Sequence, residues 1–134
     1  MKDELLKYLD KNCVLTGSRG MGFEYNYSDY DYAITEVDVA NLIELGFIKD
    51  TDVIEMGEYE NKLYNKYHFK IPIEDIIIDF IVYEDYEDIL LIKQVTNALK
   101  CINNACHKDI RNRIFEFICS QVFEHKQNKQ KLSF

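Results

Sequence analysis

The chain has 134 residues, of which 47% are hydrophobic and 30% charged, the balance of one folded domain and not of a disordered segment. Its formal net charge of −8 argues against broad binding to duplex nucleic acid, which needs a basic surface to neutralise phosphates, and suits a protein that gathers divalent cations. No apolar run approaches the roughly 20 residues of a membrane span, and the opening M-K-D-E-L-L-K-Y-L reads as a charged helix and not as a secretory leader.

Residues 3–11 place Leu5, Leu6 and Leu9 on one face, which predicts a short amphipathic helix. Cys13 to Thr16 follows as a short buried strand, ended by Gly17-Ser18, and residues 19–28 read as a loop with at most one helical turn. D-Y-D-Y-A-I-T, residues 29–35, alternates acidic with apolar or aromatic residues and predicts a second strand. Residues 36–45 predict a helix closed by Gly46. Two strands are expected at 47–56 and 63–71, with Gly57 and Asn61 in the turn between them and Pro72 ending the second.

I-I-I-D-F-I-V-Y, residues 76–83, is apolar on both faces, as a central strand must be. Two amphipathic helices are predicted at 86–103 and 108–124. The order gives an α+β domain over residues 1–125: a mixed β-sheet, helices packed on one side of it, two of them C-terminal. Residues 126–134 read as a polar tail that frays. Cys13, Cys101, Cys106 and Cys119 form no C-x-x-C pair and read as free thiols of a reducing cytoplasm. A zinc site from Cys101, Cys106 and His107 lacks a second ligand pair at finger-like spacing.

Three acids carry the chemistry. Residues two apart on a strand share a face, so Asp29 and Asp31 project side by side. Like charges that close repel, and a divalent cation between them reverses the sign; carboxylates are the ligands that Mg²⁺ selects. Asp79 interrupts the apolar strand, where an isolated carboxylate costs several kcal/mol unless it is paired or bound to metal. No Lys or Arg in that strand pairs it. If the two strands are neighbours, three carboxylates converge, enough for two metal ions about 3.5–4 Å apart.

Gly17 permits a tight turn and a close approach to a ligand, Ser18 brings a hydroxyl and a backbone N–H, and Arg19 brings a cation suited to phosphate. The stretch is not a Walker A loop, because no Gly-Lys-Ser/Thr follows.

Gly17-Ser18-Arg19, then Gly22, then Ser28-Asp29-x-Asp31 and a later strand-borne Asp79 resemble the nucleotidyltransferase superfamily that includes DNA polymerase beta, in particular its small prokaryotic and phage-type branch. The resemblance spans residues 13–83. It implies the nucleotidyltransferase fold and transfer of a nucleoside monophosphate from an NTP, such as ATP, to a hydroxyl on a protein, an RNA or a small molecule. It also implies that Gly17 and Ser18 meet the triphosphate, a contact Arg19 is suited to join by its charge, and that Asp29, Asp31 and Asp79 hold Mg²⁺ or Mn²⁺. Gly20 stands where near relatives often carry alanine, and no acceptor-binding domain is evident.

Each residue has a plainer alternative. Ser28-Asp29 is a common surface turn, Asp79 pairs with a distant cation in many sheets, and His68, His107 and His125 read as structural or solvent-facing. Lys100, Lys108, Arg111 and Arg113 read as a solvated helix face, while one of Tyr25, Tyr27, Tyr30 and Tyr32 is placed to stack on a base. The competing function is a catalytically inactive NTP-binding or partner-binding module of the antitoxin type, its two last helices facing a helical protein partner. A resistance enzyme acting on a small hydroxylated molecule is the third.

Overall fold

Apolar spacing and capping set the elements in a computed structural model, which describes residues 1–22, 29–58, 64–101 and 108–131. Helix α1 (Lys2–Asn12) buries Leu5 and Leu9, as their spacing dictates. Strand β1 (Val14–Thr16) runs directly into α2 (Gly17–Gly20), a single turn. Strand β2 (Tyr30–Thr35) leads into α3 (Glu36–Glu44). A capping box starts α3: the Thr35 hydroxyl accepts from the Asp38 N–H, and the Asp38 carboxylate accepts from the Thr35 N–H. Gly46 ends that turn at φ +79, a left-handed backbone that costs glycine little.

The short helix α4 (Asp50–Met56) and the two-residue β3 (Gly57–Glu58) come next, then β4 (Tyr67–Ile73) and β5 (Ile76–Tyr83). A second capping box, Asp85 with Asp88, opens α5 (Tyr86–Lys100), and α6 (Lys108–Lys131) follows. The fold is α+β with two C-terminal helices, as the order of elements predicts.

The sheet runs β1-β2-β5-β4-β3. Among the described residues only β2 and β5 pair parallel; the other pairings are antiparallel, so the sheet is mixed. The prediction of helices on one side is overturned. Tyr32, Ile34, Ile78, Phe80 and Val82 face α1 and α3, with Leu5, Leu9, Val39 and Leu42 in one core. Ala33, Ile81 and Tyr83 face α5 and α6, with Ile92, Val95, Leu99, Phe115 and Cys119 in a second. A strand that is apolar on both faces needs cover on both.

Three further expectations change. The strand expected at 47–56 is mostly helix α4, because the Asp52 carboxylate accepts from the Lys49 N–H at 2.9 Å and so caps a helical start. Pro72 does not end β4; it sits opposite Ile77, beyond the reach of β3, where that outer edge has no strand to receive its missing N–H. The polar stretch expected to fray from residue 126 continues α6 as far as Lys131. Lys126 itself bonds Asp85 and the buried Asp88 at the start of α5, so this part of α6 is tied to the domain. Among the described residues no helix is long and apolar enough to cross a membrane.

Candidate functional site

The parallel register sets Asp31 directly opposite Asp79. Side chains at opposed positions share a face, so β2 and β5 bring these carboxylates together on the α5–α6 side of the sheet, at the row that Ile81 and Tyr83 continue. Asp29 lies just before β2, two residues from Asp31. The convergence that spacing alone could only make conditional is thus a matter of strand order.

Strand β4 supplies compensating charge. Lys70 is the register partner of Asp79, and its Nζ lies 3.3 Å from Asp29 Oδ2. Two residues earlier, His68 Nδ1 lies 3.3 Å from Asp79 Oδ1, an ion pair when the imidazole is protonated. Burial pushes the Asp79 carboxyl above the ordinary carboxylate value; the charge and hydrogen bond of His68 and the charge of Lys70 pull it down, Asp29 pushes it up, and the net is upward. For Lys70 the balance goes the other way. Burial lowers its pKa, but the bond to Asp29 and the fields of Asp29, Asp79 and Asp31 outweigh it, so the ammonium is held charged.

Gly17 shows why the turn is glycine. Its φ is +65, and a Cβ there would stand 2.0 Å from Asp31 Oδ2. The Asp31 carboxylate therefore rests against the bare backbone at the start of α2, where only glycine leaves room. The adjoining Thr16 is fixed from above: its hydroxyl meets Thr96 Oγ1 at 2.7 Å, and Thr96 donates its own hydrogen to the Ile92 carbonyl. Thr16 is accordingly the donor of the first bond. Gly20 is equally constrained, since a Cβ would come within 2.5 Å of the Leu15 carbonyl oxygen. Ser18 lies half-buried in α2, and Arg19 places its guanidinium 3.9 Å over the ring of Tyr30, which packs against the α1–α3 core and not in the row of Asp31 and Asp79.

Next to Gly17 and Asp31 a cavity of about 190 Å³ reaches α6. Met21, Ile81, Tyr83 and Phe115 form its apolar walls, and Asn112 and Glu116 bring polar groups from α6.

The structure thus gathers Gly17, Asp31 and Asp79, with Asp29 tethered through Lys70, while Arg19 stacks on Tyr30. Four residues of the neighbourhood escaped the sequence reading. His68, which by sequence alone reads as structural or solvent-facing, touches Asp79. Lys70 comes from a neighbouring strand, invisible to a search within residues 76–83. Asn112 and Glu116 carry no local signal beyond an ordinary helix.

Among the tyrosines proposed to stack on a base, Tyr32 faces the other core and donates to Asp10 at 2.6 Å, and Tyr30 lies under Arg19. Tyr25, Tyr27, Ser28, Asn61, Cys106 and His107 lie outside the described residues. Arg111, expected on a solvated face, is buried at 4% exposure.

The donor chemistry on this face, carboxylate oxygens, fits a hard divalent cation. As arranged, Asp29 and Asp79 spend an oxygen each on Lys70 and His68, and among the described residues no group of three or more His, Cys, Asp or Glu is set to hold a metal. A cation would bind by displacing those contacts. No protein-family model matches the chain, and neither a curated protein nor a solved structure matches it.

Proposed function

We propose that the protein is a metal-dependent nucleotidyltransferase that moves a nucleoside monophosphate from an NTP to a hydroxyl acceptor. The observation that carries the reading is the opposition of Asp31 and Asp79 on adjacent parallel strands with Gly17 bare beneath Asp31. In this reading Asp29, Asp31 and Asp79 would hold Mg²⁺ or Mn²⁺, which when bound polarises the α-phosphate and stabilises the leaving pyrophosphate. The backbone of Gly17 and the hydroxyl of Ser18 bind the triphosphate, and Arg19 and Lys70 balance its charge.

The acceptor oxygen attacks the α-phosphorus, a P–O bond forms, and the bond to pyrophosphate breaks. The hydroxyl proton passes to an Asp79 oxygen. Burial raises the Asp79 pKa, the direction that favours taking up a proton.

A second reading is favoured by one observation: Lys70 and His68 already engage Asp29 and Asp79 without a metal. That suits a module that binds nucleotide or a protein partner and performs no chemistry. Incubation with α-labelled NTP and a bacterial lysate separates the two. Label entering a macromolecule or small molecule, and lost in the Asp29→Asn, Asp31→Asn double variant, supports transfer; NTP binding without label transfer supports the module.

A further inference from the structure

We propose that the cavity between Gly17, Asp31 and α6 receives the base of the nucleotide, and that Glu116 selects bases bearing an amino group. The inference rests on the nucleotidyltransferase reading and deepens it. At about 190 Å³ the cavity is smaller than the roughly 300–1,000 Å³ of sites that enclose a whole ligand, so it takes one ring system. Its walls suit a flat apolar face, with Tyr83 and Phe115 among them. Its charged borders are Asp31 and Glu116; with Asp31 engaged by a metal, Glu116 on α6 is the remaining negative charge, which repels a phosphate and admits the neutral end of a nucleotide. The polyphosphate then lies at the cavity's mouth, beside the Gly17 backbone and towards Ser18 and Lys70.

Asn112 and Glu116 stand four residues apart on α6, which puts them on one face, and both line the cavity. A carboxylate only accepts hydrogen bonds, whereas a carboxamide donates and accepts. An exocyclic amino group gives Glu116 a donor, as a carboxylate pairs with the amino group of cytosine, and Asn112 matches the adjacent edge, as an asparagine pairs with adenine. Adenine, cytosine and guanine each carry an amino group. Uracil carries a carbonyl in its place, which sets acceptor against acceptor at the exocyclic position and leaves the ring N–H as the one donor on that edge.

The test is calorimetric binding of the four α,β-methylene NTP analogues, which are not turned over, to the full chain in Mg²⁺. The expected result is that the uridine analogue binds at least about tenfold more weakly than the other three. Glu116→Gln, whose amide can donate to a uracil carbonyl, should narrow that gap to threefold or less, and Asn112→Ala should weaken the amino-bearing analogues without strengthening uridine. Both positions are exposed, so circular dichroism of the variants should match the wild type. Equal affinity for all four analogues, or an order unchanged by Glu116→Gln, overturns the base selection and leaves the transferase reading standing. Binding of none of the four overturns both.

Discussion

Replacing Asp79 with asparagine separates what this carboxylate does for the fold from what it does for chemistry. Burial raises its folded pKa, so the stability it contributes is complete below the ordinary value of 3.8 and lost as pH rises through the raised value. At neutral pH the charge therefore works against folding. Asp79→Asn should melt at or above the wild-type temperature at pH 7, with the difference vanishing towards pH 3, while transfer falls by about 10²-fold or more. A melting temperature several degrees lower at pH 7 would mean that the bond to His68 outweighs burial.

Gly20 makes an opposite point about the resemblance, in which alanine is common at that position. A Cβ there meets the Leu15 carbonyl at 2.5 Å and Thr96 Cγ2 at 3.1 Å, so Gly20→Ala overpacks the junction of α2, β1 and α5. Urea unfolding should show a loss of about 1–3 kcal/mol, and an unchanged midpoint would contradict the close packing of α2.

At the scale of elements, α6 is held to α5 by charge as well as by Phe115, Cys119 and Phe123. Lys126 bonds Asp88 and Asp85, and its side chain is only 15% exposed. Burial lowers the Lys126 pKa, but Asp88 and Asp85 outweigh it and hold the ammonium above its ordinary 10.5, so its contribution is present below that value and lost as pH climbs past the raised one. Burial raises Asp85, but the backbone N–H of Asp88 and the bond from Lys126 outweigh it and leave the carboxyl below its ordinary 3.8. Its contribution is therefore complete above 3.8 and lost as pH falls through the lowered value. Lys126→Met leaves Asp88 buried without its cation and should cost about 3–5 kcal/mol. Hydrogen exchange in α6 should quicken in this variant at pH 7, and the wild type should approach it below pH 3. Equal exchange at pH 7 would show that apolar contacts alone dock the helix.

Several of these elements are legible in the sequence and others are not, for identifiable reasons. The run 76–83 is long and apolar, and β5 spans those residues as predicted. The stretch 47–56 contains the strand formers Phe47, Ile48, Val53 and Ile54, and a capping bond from Asp52 decides for helix instead. The expectation of one helical layer fails on the same evidence that identifies the central strand, since apolar residues on both faces call for two layers.

Across the whole molecule, strand order joins residues that are far apart in the chain. The spacing of Asp29, Asp31 and Asp79 marks the candidate acids, but their convergence depends on β2 and β5 being neighbours in parallel register. Lys70 and His68 enter through the antiparallel pairing of β4 with β5, and Glu116 and Asn112 enter through the packing of α6. None of these four is set by local pattern. The net charge of −8 coexists with local contacts on this face: Asp29 has Lys70 and Asp79 has His68 beside it, and a metal and a polyphosphate would compete for those partners.

The central claim is that these acids perform phosphoryl chemistry on an NTP. Its most direct test is pyrophosphate release from each of the four NTPs, in Mg²⁺ or Mn²⁺ and after EDTA, with bacterial lysate as a source of acceptor. The account predicts release that stops with EDTA and in the Asp29→Asn, Asp31→Asn double variant, whose circular dichroism should match the wild type. Release that persists in the folded double variant, or its absence from the folded wild type with every NTP and either metal, would contradict it.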